Sequence, residues 1–276
     1  VNSAREKPMP GIHVCSSRVG FIALLLTCLL FLAPAAAEPT DTGEVVRVAV
    51  YTGGGTGKSK VNLLMALRSF PRLEVTEVTA EEIQSGKLKQ FDVVCHPGGS
   101  GSAQAKALGD EGRNAIRDFV GQGGGFVGFC AGAYLATNDY SWSLGILDAK
   151  VIDKKHWARG MGSVTLTMTP RGKVVLDVRQ ATLDIFYGQG PLLQPNEDPD
   201  TPDFVPLATY KTEIARNGAP EGVMPGTTAI AAGIFGEGRV FCFSPHPEKT
   251  GGLDRWVRQA VLYSAGQLDK RTRIKE

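Results

Sequence analysis

Four short apolar runs, Val45 to Tyr51, Leu73 to Val78, Phe91 to Cys95 and Phe126 to Phe129, constrain this chain more than its composition does. Leu63, Leu64, Leu67 and Phe70 follow the first run at helical spacing, and Ile116, Phe119 and Val120 mark the late turns of a helix expected from about Ser102 to Val120. Gly53-Gly54-Gly55 ends the first run, Pro97-Gly98-Gly99 the third, and Gly121 to Gly125 stops the helix before the fourth. Strands and helices in alternation bury both faces of a parallel sheet, so the expected fold is α/β, mostly parallel, with helices on both sides. At 276 residues and 42% hydrophobic content the chain can fill one sizeable core.

From about Leu144 the pattern changes to strands without long helices: Val164-Leu166-Met168, Val174 to Val178, Leu183 to Tyr187 and Phe204 to Tyr210. An acidic, proline-rich loop, Pro195 to Asp203, is expected at the surface. Ala229 to Phe235 and Val240 to Phe243 read as a strand pair joined at Gly236-Glu237-Gly238. Leu253, Trp256, Val257, Ala260 and Val261 share one face of a final helix, and a basic tail follows.

The N-terminal stretch reads as a secretory signal. Arg5, Lys7 and Arg18 precede the apolar run Val19 to Leu32, and Ala33-Pro34-Ala35-Ala36-Ala37 supplies the small residues of a cleavage site before Glu38. The run is shorter than the ~20 apolar residues of a spanning helix, so stable membrane insertion after cleavage is not expected. The expected organisation is a signal over 1–37, a linker over 38–44, one domain over 45–267 and a tail over 268–276, in a periplasmic or extracellular protein. A net charge of +2 without a long basic run excludes an electrostatic footprint for nucleic acid. The sequence carries no signal for an oligomeric state.

Three strands end in chemically unusual residues: Cys95-His96-Pro97-Gly98-Gly99, Gly128-Phe129-Cys130-Ala131-Gly132 and Phe243-Ser244-Pro245-His246-Pro247-Glu248. The carboxyl ends of parallel strands line one crevice, which brings these segments together despite their separation in sequence. Gly128 to Gly132 has the spacing of a nucleophile elbow, in which a Cβ at either glycine would strike neighbouring backbone and the thiol sits over a helix N-terminus that favours thiolate. A buried structural cysteine in a glycine turn is the competing reading. His246 between two prolines cannot be helical, and Glu248 two residues on can turn back to orient it as a base for Cys130. Gly98 and Gly99 with the Ala131 amide either hold an oxyanion or form a plain turn.

Thr52-Gly53-Gly54-Gly55-Thr56-Gly57-Lys58-Ser59 imitates a phosphate loop but has Thr52 where the motif needs glycine, which leaves only a flexible loop near the crevice. No close His or Cys ligand pair signals a metal, and no cofactor is expected. Cys95 and Cys242 read as core thiols rather than a disulfide, and His96 as the end of its strand more than a catalytic group. His156-Trp157-Ala158-Arg159-Gly160 and Tyr187-Gly188-Gln189-Gly190-Pro191 can shape a pocket: Arg159 as a carboxylate fork or a structural ion pair, Gln189 as a ligand group or a turn residue.

Through the elbow and the later His-x-Glu, the chain resembles the class I glutamine amidotransferase superfamily, and more closely the amidotransferase-like N-terminal domain of biotin–protein ligases in its stand-alone bacterial form. Val48-Ala49-Val50-Tyr51, Pro97-Gly98-Gly99, Ile116-Arg117-Asp118-Phe119-Val120 and Gly124 through Tyr134 carry the likeness. The resemblance implies a flavodoxin-like sheet, Cys130 as nucleophile, His246 as base, Glu248 as its partner and Gly99 with Ala131 at the oxyanion. The sequence departs at Tyr134, where glutamine amidotransferases carry the Gln that holds glutamine. No synthase or biotin-ligase catalytic domain is recognised, so ammonia transfer and biotin ligation are not expected. The leading expectation is a thiol-dependent amide hydrolase or acyl transferase acting on a small-molecule or peptide-like amide, with Tyr134, Arg159, Tyr187 and Gln189 near the substrate. The alternatives are a non-catalytic small-molecule or partner-binding module and a PfpI-type cysteine peptidase or deglycase; the latter usually places an acid near the first strand's loop, where this chain has Gly, Thr and Lys.

Overall fold

In the computed structural model residues 43–268 are described, and the four apolar runs become neighbouring strands at one end of an eleven-stranded sheet. The expected signal segment 1–37, most of the linker and the tail beyond residue 268 lie outside the described residues. The strands are β1 (Val46–Tyr51), β2 (Leu73–Val78), β3 (Val93–His96), β4 (Gly125–Phe129), β5 (Ala149–Ile152), β6 (Gly162–Met168), β7 (Thr182–Tyr187), β8 (Leu192–Pro195), β9 (Val205–Tyr210), β10 (Thr228–Phe235) and β11 (Gly238–Phe243). The helices are α1 (Ser59–Arg68), α2 (Ala80–Gln84), α3 (Gly101–Gly121), α4 (Ala131–Ala136), α5 (Pro170–Val175) and α6 (Asp254–Ser264).

The sheet order is β2-β1-β3-β4-β11-β10-β9-β6-β7, with β8 pairing β10 and β5 beside it. Strands β2, β1, β3, β4 and β11 are parallel, whereas β10, β9, β6 and β7 add an antiparallel half. The fold is thus flavodoxin-like with an antiparallel extension. Alternation along β1 sends Val46, Val48 and Val50 to the core with α1 and α6, and Ala49 and Tyr51 to the core with α2, α3 and α4. Every residue of β3 and β4 is buried, as expected where helices cover both faces. No described helix is long and apolar enough to cross a membrane.

Two local readings change. Val174 to Val178, expected as a strand, is instead the end of α5 and its exit. Thr169 caps that helix by accepting the Gly172 N–H at 3.0 Å, and Pro170 occupies its first turn, so capping overrides the β-branched run. The glycine loop after β1 is pinned at the crevice by a bridge between Thr56 and Gly99, rather than free. In α3, Gly109 (φ 60, ψ −176) breaks the helix, and the Gln84 side chain donates to the Leu108 carbonyl at 2.8 Å.

Candidate active site

β4 lies between β3 and β11, with His96 opposite Gly128 and Phe243 opposite Phe129. The three loops that follow these parallel strands leave the sheet at one edge, which brings Gly98, Cys130 and His246 together. The Cys130 N–H donates to the Phe243 carbonyl at 2.7 Å and locks the elbow to the strand that leads to His246.

Cys130 adopts φ 51 and ψ −97, a conformation costly for any residue with a side chain. The flanking glycines are required by backbone crowding. A Cβ on Gly128 would stand 2.6 Å from the Gly132 carbonyl, and one on Gly132 would run into the His96 carbonyl oxygen. α4 starts at once, and the Ala133 and Tyr134 amides donate to the Cys130 carbonyl at 3.0 and 3.1 Å. The amides of Ala131 and Gly132 have no acceptor inside the helix. With only six residues, α4 contributes these local donors rather than a long dipole.

His246 is buried, and its Nδ1 lies 2.6 Å from Glu248 Oε1. Its N–H donates to the Phe186 carbonyl at 2.8 Å, while its carbonyl accepts the Thr250 hydroxyl at 2.8 Å. Because Glu248 holds Nδ1, Nε2 is the nitrogen left for chemistry. Burial by itself disfavours the charged imidazole, but the charge and hydrogen bond of Cys130, followed by those of Glu248, outweigh it and raise His246 to about 10. Two glycines fit closely around the ring: a Cβ on Gly188 would come 2.6 Å from Nε2, and one on Gly98 2.9 Å from Cε1. The Cys130 thiol also donates to the Gly188 carbonyl at 3.5 Å.

A cavity of about 330 Å³ opens beside Cys130. Gly99, Ser100, Ser102, Tyr134, Tyr140, Trp142 and Gln189 are among the residues that line it. The bridge to the glycine loop uses the Gly98 carbonyl, which accepts from Gly57 at 2.7 Å, and the Ser100 N–H, which donates to Gly55 at 2.9 Å. The Gly99 amide is left out of those two bonds. A larger cleft of about 600 Å³ is lined by Asp92, Phe119 and Gly124, next to the residues that begin β3 and β4. Its described lining contains neither Cys nor His.

Residues 46–162 match the family described as biotin-protein ligase, N terminal, a span that includes Cys130 and ends before His246. Among solved structures, a GMP synthase-type protein from Thermoplasma acidophilum aligns with TM-score 0.55 and 13% identity over 81% of this chain and 96% of that one. A ThuA-like protein from Parabacteroides merdae aligns with TM-score 0.54 and 14% identity over 80% of this chain and 90% of that one. The chain has the glutamine amidotransferase-like fold. A β-galactosidase from Rahnella shares the fold at TM-score 0.52 and 11% identity, over 82% of this chain and 32% of that one. No curated protein sequence matches.

Within this fold the residues expected near substrate separate into two groups. Tyr134 and Gln189 line the cavity, and the Tyr134 hydroxyl donates to the Gln189 carbonyl at 3.3 Å. Gln189 holds φ 71, a second strained position at the site. Tyr187 and Arg159 are buried and are not among the lining residues. The Tyr187 hydroxyl donates to the Gly190 carbonyl at 2.9 Å, and burial raises its pKa. Arg159 pairs with Asp153 at 2.5 Å, so the fork expected for a carboxylate holds one of the protein's own.

His96 is a core group. It stacks between Tyr51 and Phe126, at 4.9 and 5.4 Å between centroids, and faces Gln104 at 3.0 Å through Nδ1. Burial pushes it down to about 4 despite the Gln104 bond. Cys95 and Cys242 lie in the two separate cores, their thiol pKa values raised by burial, and both are free. Among the described residues no group of three or more His, Cys, Asp or Glu side chains is arranged to hold a metal ion. The sequence reading missed Tyr140, Trp142 and Lys154 in the cavity wall and weighted Arg159 over its neighbour Trp157. The available signal was Tyr140-Ser141-Trp142, two aromatics close together in a stretch with no apolar periodicity.

Proposed function

We propose that this amidotransferase-like protein performs thiol-dependent acyl transfer or hydrolysis on an amide, with Cys130 as nucleophile, His246 as base and Glu248 as the group that orients it. The observation that carries this reading is the strained Cys130 beside an imidazole that its neighbours keep charged, at the edge of a cavity. In the first step Sγ bonds to the carbonyl carbon and the carbonyl electron pair moves to oxygen, where the Ala131 amide and those of Gly98 and Gly99 are the available donors. Collapse expels the amine, protonated by the His246 imidazolium through Nε2. Water or an acceptor nucleophile then attacks the thioester, its proton passing to His246, and the acyl group leaves Cys130. The basic, apolar and small-residue order of residues 1–37 supports export.

Native-state labelling with iodoacetamide, followed by peptide mass spectrometry, tests the nucleophile. Cys130 is expected to react about 10-fold or more faster than Cys95 and Cys242, and His246→Ala to remove most of that advantage. Equal rates for the three thiols would overturn the reading. A binding module without turnover is favoured by one observation, the engagement of the thiol with the Gly188 carbonyl. That reading holds if Cys130→Ala keeps full biological activity. Among the described residues no acidic side chain lines the cavity, which counts against the PfpI-type alternative.

A further inference from the structure

The walls of the cavity beside Cys130 have a composition that the catalytic groups do not require. Tyr140 and Trp142 stack face to face, with centroids 4.6 Å apart and planes 20° from parallel. Tyr134 meets Tyr140 at 6.3 Å, tilted by 57°. Trp157 adds a fourth ring at the wall and is 56% exposed, an unusual cost for so large an apolar surface unless something covers it. The stack packs against the start of α3, where a Cβ on Gly101 would already lie 3.0 Å from the Trp142 ring.

Among the described residues Lys154 is the one Lys, Arg, Asp or Glu in the lining, which also holds the Cys130 sulfur; its Nζ sits 4.8 Å from the Tyr140 ring centroid and 2.8 Å from Asp139 Oδ1. An aromatic wall alone would suit a ligand cation, but here the protein's own ammonium already occupies a Tyr140 face. A second cation beside it is repelled, whereas a neutral ring loses nothing. At about 330 Å³ the space lies at the lower end of the ~300–1,000 Å³ of small-molecule pockets, enough for a single ring-bearing group and too small for a folded chain.

We infer that this cavity binds a flat aromatic or heteroaromatic amide without positive charge, its ring against the Tyr140–Trp142 stack and its carbonyl toward Cys130. The turnover of such an amide rests on the reading of Cys130 as nucleophile; the binding preference does not.

The test uses Cys130→Ala protein, in which binding is separated from reaction, and follows tryptophan fluorescence with calorimetry as a check. The probes are benzamide, its cationic isostere benzamidine and the saturated cyclohexanecarboxamide. Benzamide is expected to bind roughly 2- to 10-fold more tightly than cyclohexanecarboxamide, the range that ring stacking supplies. It is also expected to exceed benzamidine by about 3-fold or more, and Lys154→Met to narrow that gap. Trp157→Ala, at an exposed position with little bearing on folding, should weaken benzamide by about 2-fold or more, and Trp142→Ala by more. Failure of benzamide to bind, equal affinity for the three probes, or a ring preference unchanged in both tryptophan variants would overturn the inference. Benzamide binding with no aromatic amide turned over by the wild-type protein would sink the nucleophile and keep the pocket. Turnover of open-chain amides without benzamide binding would do the reverse.

Discussion

Gly188→Ala adds one methyl group where the imidazole has no room to retreat. The new Cβ would stand 2.6 Å from His246 Nε2, 2.8 Å from Cδ2 and 3.4 Å from the Phe186 ring. Optimal contact is about 3.5–4.0 Å, so roughly 1 Å must open. Glu248 holds Nδ1 and Phe186 holds the backbone N–H, so the ring is tethered at both ends. Gly188 is not at positive φ, so alanine brings steric overlap without backbone strain. Overpacking of this size costs about 1–3 kcal/mol, which a fold of ordinary stability of about 5–15 kcal/mol survives. A 1 Å displacement of the base is expected to slow the Cys130 reaction with iodoacetamide by roughly 10- to 100-fold. The assay is the labelling rate by mass spectrometry, alongside a melting curve. Gly251→Ala, with nothing within 4 Å of the added carbon, is the control and should match the wild type. A folded Gly188→Ala protein that labels within about twofold of wild type would refute the argument that Gly188 sets the imidazole against the thiol.

His246 should make stability fall at alkaline pH. Its folded pKa, held up to about 10 by Cys130 and Glu248 against burial, exceeds the unfolded value of ~6.5, so its contribution is complete below ~6.5 and is lost as pH rises through about 10. Melting temperatures at pH 7, 8.5 and 10 should drop less in Cys130→Ala than in wild type, and identical slopes would contradict the assignment. His96 acts at the other end: its folded value of about 4 lies below ~6.5, so the unfolded chain takes the proton first and stability is lost as pH falls from ~6.5 toward 4. His96→Phe should flatten that acid limb in thermal melts, and an unchanged limb would show that His96 is not its source.

Residues that depend on their immediate neighbours were legible before any coordinates. β2 spans the same residues as the apolar run Leu73 to Val78, and the β10–β11 pair turns at the glycine-flanked Glu237, because strand period and turn chemistry are local. The glycines on either side of Cys130 and the prolines on either side of His246 are likewise local requirements, set by backbone crowding and by a ring that fixes φ. α5 was not legible as a helix, because the Thr169 cap and Pro170 outweigh a run whose side chains favour a strand.

The cavity wall needed the tertiary structure. Tyr140, Trp142 and Trp157 have no period that points them inward, and they share one space only through loops that turn at positions such as Asp153, at φ 55, and Gln189, at φ 71. The exclusion of Arg159 has the same origin, since Asp153 is near enough to claim its guanidinium. Local spacing therefore determined the elbow and the parallel strands that converge on it. Which side chains surround the thiol was decided by long-range packing, because a contact between distant segments leaves no periodic trace in either one.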